Sequence, residues 1–198
     1  METSAAERRR RVIIAGHRGD ADAIQQFVAD DDAQVRAAAL SALFRSGLLS
    51  GDHFLTGSTD SAPEVRRRTA KMAGTALDIN IGTTLVTLLG DSADAVVEVA
   101  CWAAGERALD ETTLPLLVAI ATDHEDPLCR ESAIAALGAI GDDRGLPAIL
   151  LGCTDKPAIR RRAVLALAPF EGPAVDAAMT AALEDRDWQV RQAAEDLL

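Results

Sequence analysis

Asp126-Pro127-Leu128-Cys129-Arg130-Glu131-Ser132-Ala133-Ile134-Ala135-Ala136-Leu137-Gly138, closed by Gly141-Asp142, is the stretch on which the fold turns. An acidic loop leads into an aliphatic-type residue followed by arginine. Small or apolar residues follow three, six and seven positions after the arginine, at Ala133, Ala136 and Leu137. That spacing places them on one face of an α-helix. A short turn with Gly and Asp comes next, and then a second apolar segment, Leu146 to Leu151, which predicts a second helix.

The same pattern recurs along the chain. Val35-Arg36, Val65-Arg66, Val96-Val97, Cys129-Arg130, Ile159-Arg160 and Val190-Arg191 each open a first helix. Successive arginine positions are separated by 30, 31, 33, 30 and 31 residues. Self-similarity at such a period is the signature of a repeat array, in which no helix pair buries its apolar face alone and neighbours stack. The clearest second helices are Thr83 to Leu89, Leu114 to Ala121, Leu146 to Leu151 and Val175 to Leu183. Pro115 and Pro147 stand in the first turns of two of them, where a missing N–H costs little. The expectation is a single all-α domain over 1–198 with about six to seven two-helix repeats. Residues 1–29 form a divergent N-terminal pair (about Ala6–Ala15 and Ala21–Ala29), and 187–198 a C-terminal capping helix made polar by Glu195 and Asp196.

These residues resemble short HEAT-like repeats, similar to those of phycobilin lyase subunits, over roughly 20–198. The resemblance implies a right-handed α-solenoid, with first helices on the convex side and second helices lining the concave side. It also implies one activity, that of a chaperone-like subunit presenting a bilin or other tetrapyrrole to an acceptor protein. The signatures of ankyrin and tetratricopeptide repeats are absent from the sequence.

The recurring arginine is expected to reach an acid in the adjacent inter-repeat loop, with Asp32, Asp60, Asp91, Asp126, Asp155 and Asp187 as candidates, some of them also capping helix N-termini. One member of this ladder is missing, because Val97 stands where arginine is expected. On the same helix Val99 and Trp102 occupy positions where small or polar residues are usual in the other repeats. Two readings follow. Either they form an exposed apolar patch for a partner on the convex side, or Trp102 folds over its own helix. Trp188, before Val190-Arg191, is expected to pack as a loop anchor.

Counting back from the aspartate that ends each second helix, offsets −7 and −4 hold His53 and Thr56, Thr84 and Thr87, Leu116 and Ala119, then Ala148 and Leu151. In a chain that is 26% charged, this nearly uncharged row stands out, since a solvated helix face normally carries Lys, Glu and Arg. The row suggests a groove for a protein or peptide segment. Burial of the row within a tightly curved solenoid and a homodimer contact are the other readings.

Composition bounds the rest. Net charge is −11, which argues against a protein held to nucleic acid mainly through phosphates. The basic clusters Arg66–Arg68 and Arg160–Arg162 keep that reading as an alternative. Three cysteines (Cys101, Cys129, Cys153) suit buried reduced thiols better than a disulfide framework. The apolar run Val12–Ala15 is too short for a signal core or a membrane span, so a soluble cytoplasmic protein is expected. The pair His124-Glu125 resembles those of HEAT-type di-iron hydroxylases, but one pair does not supply six or so ligands. No metal site, cofactor or catalytic residue is expected. The function expected is a non-enzymatic interaction scaffold with a protein or peptide partner.

Overall fold

In a computed structural model, residues 3–107 and 110–197 are described, so Leu198, expected on the small-residue face of the last helix, lies outside them. All regular structure among the described residues is helical: thirteen α-helices and one 3₁₀ turn. Two compact units make up the chain, 1–96 and 97–198.

In the N-terminal unit the first helices are α1 (Ala5–Arg18), α3 (Ala33–Arg45) and α5 (Pro63–Ala73). The second helices are α2 (Ala21–Gln25), α4 (Gly51–Ser58) and α6 (Thr84–Leu89). First helices pack on first helices, α1 on α3 and α3 on α5, while α4 packs on α6. The division between units falls inside α7 (Asp94–Gly105). The C-terminal unit continues with α8 (Leu114–Asp123), α9 (Pro127–Ile140), the 3₁₀ turn Asp143–Gly145, α10 (Leu146–Gly152), α11 (Pro157–Ala166), α12 (Pro173–Leu183) and α13 (Trp188–Glu195). Here α9 packs on α11 and α11 on α13, with α8 on α10 and α10 on α12. Each unit is therefore two layers, one of first helices and one of second helices. Between the layers lie the aliphatic residues at offsets −1, 3, 4, 6 and 7 of the arginine register. Cys129, Ala133, Ile134, Ala136 and Leu137 of α9 are all buried.

Small residues set how closely first helices approach. A Cβ added to Gly138 would lie 2.7 Å from Ala166 Cα, and one added to Gly105 2.9 Å from Ala136 Cα. On α1, a Cβ at Gly16 would lie 2.8 Å from Ala42 Cβ. In each case the glycine stands eight residues after the ladder position and meets the offset-six alanine of the next repeat.

The arginine ladder forms, with a register partly different from the expected one. Arg36 pairs with Asp60, Arg66 with Asp91 and Arg130 with Asp155, at 2.6 to 2.8 Å. Arg160, however, meets Asp185, and Arg8 meets Asp30. In every pair Nε and Nη2 each donate to one carboxylate oxygen, the bidentate geometry in which arginine binds carboxylate best. Nη1 of Arg36, Arg66 and Arg130 turns back to two carbonyls of the loop before its own helix, and that of Arg160 to Asp155 O.

Asp32, Asp126 and Asp187 do not pair with the ladder. They are N-caps, accepting N–H groups of the first turns of α3, α9 and α13. The reason lies in the loop sequence. In Asp30-Asp31-Asp32 and Asp185-Arg186-Asp187 the first aspartate binds arginine and the third caps the helix, two residues further on. His124 holds the first position of the loop before α9, and its Nδ1 accepts the N–H of Asp126 as an aspartate oxygen does elsewhere. Arginine and aspartate are thus both replaced at one step, by Val97 and His124.

These pairs carry a pH dependence. The hydrogen bonds from Arg8, Arg130 and Arg160 hold Asp30, Asp155 and Asp185 below the ordinary carboxylate range, against the opposing effect of burial. At Asp60 and Asp91 burial pushes the pKa upward, and arginine together with loop N–H groups outweighs it. A folded-state pKa below the unfolded value stabilises the fold above the unfolded pKa of about 4 and is lost as pH falls through the folded value. The contribution of these pairs to the thermal unfolding midpoint is therefore expected to stay level from neutral pH down to about pH 5 and to drop steeply below about pH 4. A calorimetric pH series checks this, and a midpoint rising on acidification would contradict it.

Candidate protein-interaction faces

The second-helix layers carry the uncharged row. Offset −4 is exposed in every second helix from α4 on: Thr56 and Thr87 in the N-terminal unit, Ala119, Leu151 and Ala181 in the C-terminal one. Offset −7 behaves differently. His53 and Leu116 are half-buried, whereas Thr84 and Ala148 are buried and leave the surface row. Helical geometry supplies the reason. Offset −7 stands about 40° from offset −3, and −3 is buried throughout as Gly57, Leu88, Ile120, Gly152 and Ala182. Offset −8 stands about 40° from −4 on the open side. It is exposed in α8, α10 and α12 as Pro115, Pro147 and Ala177, which the sequence reading had not included. The Thr84 hydroxyl is buried with no hydrogen-bond partner. His53 is tied in place, its Nδ1 against Ser50 and its Nε2 3.2 Å from Gln25. Burial lowers its pKa, opposed by Asp52.

In the C-terminal unit the open face is close to charge-free. α8 carries only its terminal Asp123, α10 carries no charged side chain, and α12 carries only Asp176. Leu151, 54% exposed, projects from the middle helix of the three.

The first-helix layer holds the other candidates. Trp102 is 38% exposed and Val99 half-buried, beside the buried Val97. Trp188, expected as a packed loop anchor, is instead 64% exposed. As the first residue of α13 it precedes the helix's buried face, which Val190, Ala193 and Ala194 supply. In the basic clusters, Arg66 and Arg160 are consumed by the ladder, and Arg162 lies 3.5 Å from Glu131. Cys101 and Cys129 are buried and Cys153 half-buried. Burial pushes the Cys101 thiol far up and that of Cys153 up to about 11, so both are protonated at neutral pH. No described helix is long and apolar enough to cross a membrane.

Stacked helix pairs in two layers, joined by an arginine–aspartate ladder and lacking any strand among the described residues, define a helical repeat protein of the solenoid class. The model of the HEAT-repeat family matches residues 51–138, 82–155 and 120–198, and the chain belongs to that family. The narrower likeness to phycobilin lyase subunits is not confirmed by this match. A search of curated proteins gave no match. Among solved structures, a designed armadillo repeat protein in complex with the peptide (KR)4 has a TM-score of 0.66 at 16% identity, over 89% of this chain and 97% of that one. A computationally designed armadillo repeat protein for modular peptide recognition has a TM-score of 0.63 at 16% identity, over 89% and 97%. The Escherichia coli protein YibA has a TM-score of 0.63 at 16% identity, over 98% and 75%. At these identities the likeness is one of fold.

Proposed function

We propose that the chain is a non-enzymatic scaffold that binds a segment of another protein on its second-helix face. The observation that carries this reading is the uncharged open face of α8, α10 and α12, where Leu116, Ala119, Leu151 and Ala181 stand among almost no charged side chains. Leaving Leu151 more than half exposed forgoes roughly 1 kcal/mol of burial, which a partner's apolar side chains would recover. Designed armadillo proteins of the same fold class bind peptides, which is in keeping with this use of the layer.

The test is co-purification from the native cells, comparing the wild-type chain with Leu116→Glu/Leu151→Glu. The expected result is loss of the partner at unchanged melting temperature, because both side chains already reach solvent. Equal recovery of the same partner by the variant would refute the reading.

A further inference from the structure

The first-helix layer of the N-terminal unit has the opposite character to the face just described. Helices α1, α3 and α5 together hold eleven Arg and Lys residues but only Glu7 and Glu64 as acids, within a chain of net charge −11. Three of the arginines are spent on the ladder. Three others, Arg9 of α1, Arg45 of α3 and Arg68 of α5, border one cleft of about 290 Å³. Its lining includes no carboxylate. All three are exposed, and their guanidinium groups make no hydrogen bond or ion pair among the described residues. Ile13, Ala37 and Ala38 add apolar groups to the lining. The Ser41 hydroxyl on its wall donates to Ala37 O at 2.8 Å and is already engaged.

We propose that this cleft is an anion site that takes the phosphoryl group of a phosphorylated peptide side chain. Three like charges from three neighbouring first helices, gathered with no carboxylate in the lining, call for a ligand of more than one negative charge. A phosphoryl group brings a charge of about −1.5 to −2 and three acceptor oxygens, whereas a carboxylate brings one charge and two. Guanidinium forks are matched to such oxygens. The volume suits one side-chain-sized group, and the apolar lining residues suit the stem that carries it. A nucleic-acid strand fits less well. No aromatic ring in the lining offers a stacking surface for a base, and the chain's net charge repels an extended polyanion.

The experiment is fluorescence anisotropy on the full chain with a labelled alanine–glycine peptide bearing a central phosphoserine. The unphosphorylated peptide, its glutamate counterpart and a short oligothymidylate serve as comparisons. The phosphopeptide is expected to bind saturably and at least about tenfold more tightly than the unphosphorylated and glutamate peptides, a gap of about 1.4 kcal/mol. Arg45→Gln/Arg68→Gln should weaken it about tenfold or more, while Arg161→Gln should leave it unchanged. In the wild-type protein the arginine Nε–Hε resonances of these three residues should shift on titration with inorganic phosphate, a readout free of any folding defect in the variants. Equal binding by the double variant, preference for the glutamate peptide or the oligothymidylate, or no saturable binding would each overturn the proposal.

Discussion

Arg160→Ala is expected to destabilise the C-terminal unit by about 3–5 kcal/mol, the usual cost of removing one partner from a buried ion pair. Its side chain is 7% exposed and that of Asp185 14%. Without the guanidinium, Asp185 keeps only the Asp187 N–H, and Asp155 O loses its donor. Most of the cost is the stranded carboxylate rather than the lost attraction. The double change Arg160→Met/Asp185→Asn should therefore recover a large part of it, since asparagine still accepts the Asp187 N–H and leaves no charge behind. Urea unfolding followed by circular dichroism measures both variants. A single-mutant cost below about 1 kcal/mol would mean that the ladder is an exposed pairing of little consequence.

Gly138→Ala carries the second large effect, and its sign separates two physical arguments. Helix propensity alone predicts a gain of about 1 kcal/mol, because alanine replaces glycine inside α9. Packing predicts the reverse. The new Cβ would lie 2.6 Å from Ala166 Cβ, 2.7 Å from its Cα and 3.0 Å from its carbonyl oxygen. The obstruction is largely backbone, so no rotamer change relieves it and α9 must move away from α11. A net loss of about 2–3 kcal/mol is expected, in the range of overpacked cores. Ala166→Gly added to it should restore a part, since it removes the Cβ contact but leaves the Cα in place. Gly90→Ala is the control. Its backbone is at φ −94° and its added Cβ would come no nearer than 3.7 Å to Val86 O, so little change is expected. A stabilised Gly138→Ala protein would show that the α9–α11 contact is softer than the geometry implies.

Much of the fold was legible because its determinants are local and repeat. The offsets 3, 6 and 7 located the buried face, and Asp126 or Asp32 before a helix announced a cap. What the sequence reading lacked was a second count within the loops. Asp-x-Asp at Asp30–Asp32 and Asp185–Asp187 carries two separate tasks, and counting one aspartate per loop named the caps Asp32 and Asp187 in place of Asp30 and Asp185, which hold Arg8 and Arg160. Arg8 escaped because it lies in the run Arg8–Arg11, where nothing in composition marks one arginine as a ladder member. The glycine eight residues after the ladder position, at Gly16, Gly74, Gly105 and Gly138, was visible in register but is meaningful only once helix separation is known. On the second helices a one-residue error placed Thr84 and Ala148 at the surface, since −7 and −8 fall on opposite sides of the boundary between core and solvent. The cleft of Arg9, Arg45 and Arg68 depends on three helices brought side by side, which no reading along one helix supplies.

The ladder also fixes what can be exchanged between proteins of this construction. Each arginine belongs to one repeat and its aspartate to the next, so a rung is complete only across a boundary. A segment copied or deleted from just before one ladder arginine to just before the next keeps arginine and aspartate in step, whatever the number of copies. A cut elsewhere within the repeat preserves the helices equally well only if it keeps that phase. Growth and loss of repeats by whole periods therefore leaves every buried carboxylate with its partner, and a chimaera joined out of phase inherits an unmatched charge at its seam. Val97 with His124 shows one tolerated exception, a boundary at which both halves of the rung have been surrendered together.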